Sequence, residues 1–189
     1  MNRKKKKEIG NLIKKKSLWG LWGCILLILL VSSCFLFSGT WVIIYEVEDA
    51  NIHPSQSFYK FTVDLTEEDI WKDHKDDIDD IADISFTFKL ANTGDDTLTG
   101  RVYVSSDSVL ADTAAVKSSA TIILDGITVA SGDTLQMTLA HYYDLLQNFD
   151  TLKNLVKSGK FTAYAIVPNA PNDMEFFDVI VVVTISGGL

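Results

Sequence analysis

Residues Ile84–Val104 read ISFTFKLANTGDDTLTGRVYV. Ile84, Phe86, Phe88 and Leu90 alternate with Ser85, Thr87 and Lys89, the period-two pattern of a strand with one buried and one wetter face. Asn92-Thr93-Gly94-Asp95-Asp96 is turn chemistry, because Asn, Asp and Gly bend the chain at low cost. Leu98–Val104 then resumes the apolar pattern, and the stretch predicts a hairpin of two antiparallel strands.

The same punctuation continues on both sides. Upstream, Trp41–Val47 is β-branched and aromatic. In Ser57–Leu65, Tyr59, Phe61, Val63 and Leu65 interleave with Phe58, Lys60, Thr62 and Asp64. Downstream, Thr121–Leu124, Ile127–Val129, Leu135–Leu139, Phe161–Val167 and Phe176–Ile185 read as strands. Asp125-Gly126, Ser131-Gly132-Asp133 and Pro168–Asp173 mark turns or loops. Ser105–Ser119 is small, polar and loop-like. Two segments change period. In the first, about 67–80, Thr66 offers an N-cap hydroxyl before Glu67, Glu68 and Asp69, and Ile70, His74, Ile78 and Ile81 follow at helical spacing. In the second, about 142–157, Leu145, Phe149, Leu152 and Val156 form one stripe. A break is expected near Asn148 with Asp150 as the second cap, and Gly159 lies just past the end. Some eight or nine short strands, two helical inserts and no βαβ alternation predict a mainly β antiparallel sandwich.

ISFTFKLANTG (84–94), ILDGITVASGDTLQMTLA (123–140) and LKNLVKSGKFTAYAIV (152–167) together resemble the WHy domain of the group-two late embryogenesis abundant proteins. The resemblance covers Ile84–Ile185, with Asn92-Thr93 where that family usually has Asn-Pro. It implies an immunoglobulin-like β-sandwich.

Charge is distributed unevenly. Residues 1–16 carry Arg3, Lys4–Lys7 and Lys14–Lys16 against Glu8, which is +7; the whole chain is −8, leaving −15 for residues 17–189. An acidic body without clustered Lys and Arg excludes it as a nucleic-acid binder, since phosphate contacts need such clusters. Behind the lysines, Leu18–Phe37 is a charge-free run of twenty residues. At about 1.5 Å per residue a helix of that length spans a hydrocarbon core of roughly 30 Å. The lysines would stay on the cytoplasmic side and the body would be exported. A basic start, an apolar stretch densest at Ile25–Val31 and small residues after it also describe a secretory signal.

Val31-Ser32-Ser33-Cys34 resembles the bacterial lipobox: an aliphatic residue, two small residues and the cysteine that becomes a lipidated first residue. Cys24, preceded by Leu21, Trp22 and Gly23, does not fit, because Trp22 is too large. The resemblance implies a signal peptide over 1–33, a lipidated start and tether over 34–40, and a sandwich domain over 41–189. Phe35 stands where an Asp would hold such a protein at the inner membrane, which implies the outer membrane in a two-membrane bacterium. An uncleaved signal anchor over 18–37 would use the same lysines and apolar run.

Chemistry-bearing motifs are sparse. Beyond Cys34 the body has no cysteine, hence no internal disulfide or cysteine-ligated metal. His53, His74 and His141 are the three histidines; Gly-x-Ser-x-Gly, His-Glu-x-x-His and Walker A patterns do not occur. No residue is assigned a catalytic, cofactor or metal role. The acidic run Asp73, Asp76, Asp77, Asp79, Asp80, Asp83 carries the ligand type that Ca²⁺ prefers, but not EF-hand spacing. On a helix it reads as a solvated face with Lys72 and Lys75. Tyr142-Tyr143 and Phe176-Phe177 each place one ring toward the core and one near the surface, where a glycan or peptide groove could use it. The sequence thus describes an exported, membrane-anchored envelope protein with a non-catalytic sandwich in a structural or interaction role. Its alternative is an extracytoplasmic module for glycan, peptide or calcium.

Overall fold

A computed structural model describes residues 38–47, 58–167 and 174–188. The chain divides into two units, Thr40–Gly187 and the flanking Met1–Gly39 with Gly188–Leu189; the first is the folded body. The lipobox Val31-Ser32-Ser33-Cys34, the signal or anchor segment, His53 and the loop Pro168–Asp173 lie outside the described residues. Among the described residues no helix is long and apolar enough to cross a membrane.

Among the described residues eight strands follow one another: β1 (Ser38–Glu46), β2 (Phe58–Asp64), β3 (Ile78–Asn92), β4 (Leu98–Ser105), β5 (Thr121–Val129), β6 (Thr134–Met137), β7 (Lys160–Ile166) and β8 (Met174–Gly188). They form two four-stranded sheets, ordered β1-β8-β3-β6 and β2-β7-β4-β5. The body is mainly β, with two antiparallel sheets packed as a sandwich. Strand k neighbours strand 9 − k throughout: β1 lies beside β8, β2 beside β7, β3 beside β6 and β4 beside β5. This is a long hairpin rolled up on itself, the jelly-roll arrangement. An immunoglobulin sandwich instead keeps its first two strands side by side in one sheet. Here β1 and β2 lie in different sheets, which corrects the immunoglobulin-like expectation.

The decisive stretch is corrected in the same way. Ile84–Leu90 and Leu98–Val104 are both strands, but they do not form a hairpin. β3 pairs with β8 and β6, and β4 pairs with β5 and β7. The Asn92–Asp96 turn carries the chain from one sheet to the other.

Alternation in β3 places its core residues as the sequence implies. Ile84, Phe86, Phe88 and Leu90 of β3 are buried, as are Val179, Val181, Val183 and Ile185 of β8. Facing them from the other sheet are Val63, Val102, Val104, Phe161 and Ala163. Rings bridge the sheets: Phe86 meets Phe161 edge-on at 6.3 Å between centroids, and Phe61 meets Phe176 at 6.5 Å. Burying a side chain of this size is worth about 1.5–3 kcal/mol.

The helices differ from their predicted extents. The expected helix over 67–80 is a 3-10 turn (Leu65–Glu67) followed by the six-residue α1 (Asp69–His74). Ile78–Asp80 already belong to β3, because Ile78 and Ile81 suit a strand paired to β8 as well as a helix face. Asp64, rather than Thr66, supplies the capping oxygen, accepting from the Thr66 amide. The segment Ser105–Ser119, expected as a loop, holds α2 (Thr113–Ser119), capped by Asp112, which accepts from the Ala115 amide at 2.8 Å. The second insert is two helices, α3 (Leu139–Leu145) and α4 (Phe149–Lys157). They are broken near Asn148 as expected, but Asn148 itself, at φ 50°, is the cap position rather than Asp150. Leu152 and Val156 are fully buried, while Leu145 and Phe149 are half-buried at the margin.

Candidate functional site

The two outer faces of the sandwich are finished differently. On the β2-β7-β4-β5 sheet, Tyr103, Tyr164 and Ile166 point outward, yet they are buried in a second cluster with Val116 of α2 and Leu110. The Tyr164 hydroxyl donates to the Asp107 carbonyl at 2.7 Å, and burial raises its pKa above the ordinary tyrosine value. The 105–119 segment is therefore a roof over that face. The β1-β8-β3-β6 sheet carries no such roof among the described residues. Val42 and Ile44 of β1 are 47% and 60% exposed, and Ile180, Val182 and Thr184 of β8 are half-buried.

A trough of about 540 Å³ crosses this open sheet. Glu46, Thr87, Lys89, Gln136 and Asp178 supply its polar groups, and Val47, Phe88, Met137, Val179 and Ile180 complete it. It exists because the β3–β8 ladder slips. Thr87 lies opposite Ile180 but Lys89 lies opposite Phe177, so Asp178 and Val179 share the single partner Phe88. This is a β-bulge, which puts two residues against one and re-aims a side chain. Asp178 takes a left-handed φ of 54°, a conformation Asp tolerates better than most non-glycine residues. Its carboxylate meets Lys89 Nζ at 2.8 Å, and the same ammonium lies 5.6 Å from the Phe177 ring centroid. Lys89 is thereby held between a carboxylate and a ring face, an arrangement that fixes a long side chain in place. The result is a polar trough with two carboxylates, an amide, a hydroxyl and one positioned ammonium.

The residues singled out in the sequence fall elsewhere or do other work. The acidic run is dispersed: Asp73 is on α1, Asp76 and Asp77 lie in the turn after it, and Asp79, Asp80 and Asp83 are on β3. Lys153 Nζ sits 3.1 Å from Asp80, which lowers the Asp80 pKa through that hydrogen bond. The Tyr143 hydroxyl donates to both oxygens of Asp83 at 2.7 Å, and this bond raises the Tyr143 pKa. Among the described residues no three His, Cys, Asp or Glu side chains gather as a metal site. His74 stacks on Trp41 with centroids 4.0 Å apart, and His141 is exposed on α3. Tyr142 and Phe176 are buried; Tyr143 is exposed and Phe177 half-buried. Of these aromatics, Phe177 borders the trough through its contact with Lys89.

Neither the trough nor the bulge follows from the strand pattern alone. A signal was present: buried positions in β8 run Met174, Phe176, then Val179, Val181, Val183, Ile185, a change of parity that one inserted residue produces.

No family model matches this chain, and no curated protein matches it. Among solved structures the chain is similar to that of Desmodium yellow mottle tymovirus, at 9% identity over 80% of this chain and 89% of that one, with a TM-score of 0.34. It is also similar to a novel carbohydrate binding module from glycoside hydrolase family 9 (Cel9A) of Ruminococcus flavefaciens FD-1, at 14% identity over 79% of this chain and 98% of that one, with a TM-score of 0.30.

Proposed function

We propose that this chain is an exported, membrane-tethered, non-catalytic binding module of a cell envelope, and that its ligand is a neutral glycan segment held in the trough. In this reading residues 1–33 direct export, and Cys34, preceded by Val31-Ser32-Ser33, carries the lipid. The observation that carries the ligand assignment is the trough itself, on the one sheet face left without a roof among the described residues. Its floor is the face of a paired sheet, so an extended peptide cannot add to it as a strand and would lose main-chain recognition. Hydroxyl groups, in contrast, both donate and accept, and they match Glu46, Asp178, Gln136, Thr87 and Lys89 together. Two carboxylates against one ammonium disfavour an anionic sugar.

The ligand reading is tested by titrating neutral oligosaccharides into the isotope-labelled chain. Shifts should concentrate at Thr87–Lys89, Gln136 and Asp178, and D178A should weaken binding about tenfold, the loss expected for one or two hydrogen bonds to a charged group. Saturable binding with shifts confined to other surfaces, or no binding, would refute the trough. The tether is tested separately: C34A should abolish metabolic fatty-acid labelling, whereas unchanged labelling or a mature chain beginning at Met1 would favour the signal anchor over 18–37.

A further inference from the structure

A sandwich of two four-stranded sheets has four edge strands, and each edge offers unpaired main-chain groups to another chain. Three of the four are protected here. β5 is covered by the α3–α4 connection: Gln147 donates its amide to the Ile123 carbonyl at 2.8 Å, Asn148 Nδ2 donates to the Ile122 carbonyl at 2.9 Å, and Leu146 bridges to Leu124. β6 is four residues long. β2 carries an exposed lysine, Lys60, in mid-strand. β1 has none of these devices. It is nine residues long, SGTWVIIYE, with neither proline nor a charge before Glu46. Val42 and Ile44 stand exposed on it, and among the described residues no group bonds its outer edge.

We infer that β1 pairs antiparallel with β1 of a second copy of this chain, joining two β1-β8-β3-β6 sheets into one continuous sheet. Two features favour a second copy over an unrelated strand. The first is charge. The body carries −15, which opposes contact between copies at most surfaces, but β1 is uncharged through Tyr45. A register centred on Val42 sets Val42 against Val42, Thr40 against Ile44 and each Glu46 against Ser38 at the ends of the strand; no like charges stand opposite each other. The second is where the rest of the chain leads. The thirty-seven residues before β1 end in the apolar run Leu18–Phe37, directly adjacent to the strand. If the chain is tethered as proposed, by a lipid on Cys34 four residues before β1, copies in one membrane share a short tether to this strand, which raises its effective concentration toward itself. The two-fold axis of such a pair stands perpendicular to the sheet, so both troughs open on the same face. A polymeric glycan would then meet two sites at once.

The test uses the full chain in membranes and in detergent micelles. V42C should give an oxidant-induced disulfide dimer, while K60C on the β2 edge, in the same background, should not. Light scattering should return a dimer for the parent chain, and V42K/I44K, which alters two exposed side chains, should weaken it by on the order of tenfold or more with the melting temperature unchanged. A monomeric parent chain, or V42C cross-linking no better than K60C, would overturn the inference. So would a monomer whose Val42 position becomes shielded only when lipid is added, an outcome that assigns the strand to a membrane surface instead. None of these outcomes depends on whether the trough binds glycan.

Discussion

Asn92 Nδ2 donates to the Val129 carbonyl at 3.0 Å, tying the end of β3 to the end of β5 in the opposite sheet. The same amide nitrogen donates to the Asp96 carbonyl at 2.8 Å, and Asn92 Oδ1 accepts from the Gly94 amide at 3.1 Å. Asn92 is 2% exposed, so these partners stand in for water as the chain changes sheets. Asn92→Ala strands several main-chain groups, each costing about 1–3 kcal/mol when left unsatisfied. The expected loss is about 2–4 kcal/mol in a denaturant melt. A change under about 0.5 kcal/mol, the range of ordinary surface substitutions, would show that the turn holds without it.

Tyr142 presents the opposite case. Its side chain is fully buried against Phe86 and Tyr143, and its hydroxyl has no hydrogen-bond partner among the described residues. Burial pushes its pKa well above the ordinary tyrosine value. Tyr142→Phe keeps the ring and removes the orphan group, and should raise stability by about 1 kcal/mol. A loss of stability would mean that the hydroxyl is satisfied by an internal water.

The α4 stripe should show a gradient along its length. Leu152→Ala should cost about 2–5 kcal/mol, as large-to-small core changes do. Phe149 is half-buried, with Lys153 Nζ 5.4 Å from its ring centroid, and Phe149→Ala should cost less than Leu152→Ala. Equal costs in chemical denaturation would contradict the burial order.

Two glycines are required by close approach. A Cβ on Gly187 would collide with the Asp77 carbonyl, and one on Gly159, at φ 81°, would press on Thr66 and the Trp71 ring. Gly187→Ala should be the more damaging because the obstacle is backbone. Gly159→Ala should cost about 1–3 kcal/mol, the range for a non-glycine residue forced into a sparse region. Gly132, also at positive φ but with open space around it, is the control: Gly132→Ala should be milder than either.

Acid should release the Asp64–Lys160 pair. Lys160 Nζ lies 2.6 Å from Asp64 Oδ2, and this hydrogen bond, with a second from Thr66, holds the Asp64 pKa below its ordinary value. A depressed carboxylate pKa contributes stability that is fully present above the unfolded-state value near about 4 and is lost as pH falls through the lower folded value. Asp64→Asn should therefore reduce stability at neutral pH and converge with the parent in acid. A constant difference at all pH values would assign the loss to something other than the charge.

How much of this was legible depends on what alternation encodes. Period two tells which side of a strand is buried, and it located the inward residues of β2 and β3 from sequence. It carries no information about which strand lies alongside, so Asn92–Asp96 read as a hairpin turn when it is a crossing between sheets. Period also fails where two templates coincide. Ile78 and Ile81 fit a helix face, but their main chain pairs with β8. The small polar residues of 105–119 hid the Asp112 cap and the roof it starts. The trough arises from one inserted residue at Asp178, a local feature that a pattern of faces averages away unless the parity of buried positions is followed across it.

The nested pairing also orders events in time. Among the described strands β1 is synthesised first, yet its neighbour β8 is the last of them to be made. Every pair outside β4–β5 must wait for residues made much later, and such non-local closure is slow. Throughout that interval Trp41–Tyr45 is an apolar, β-prone segment without its sheet, a state open to aggregation. A circular permutant that opens the β4–β5 connection and joins β8 to β1 should therefore fold faster than the natural order of strands.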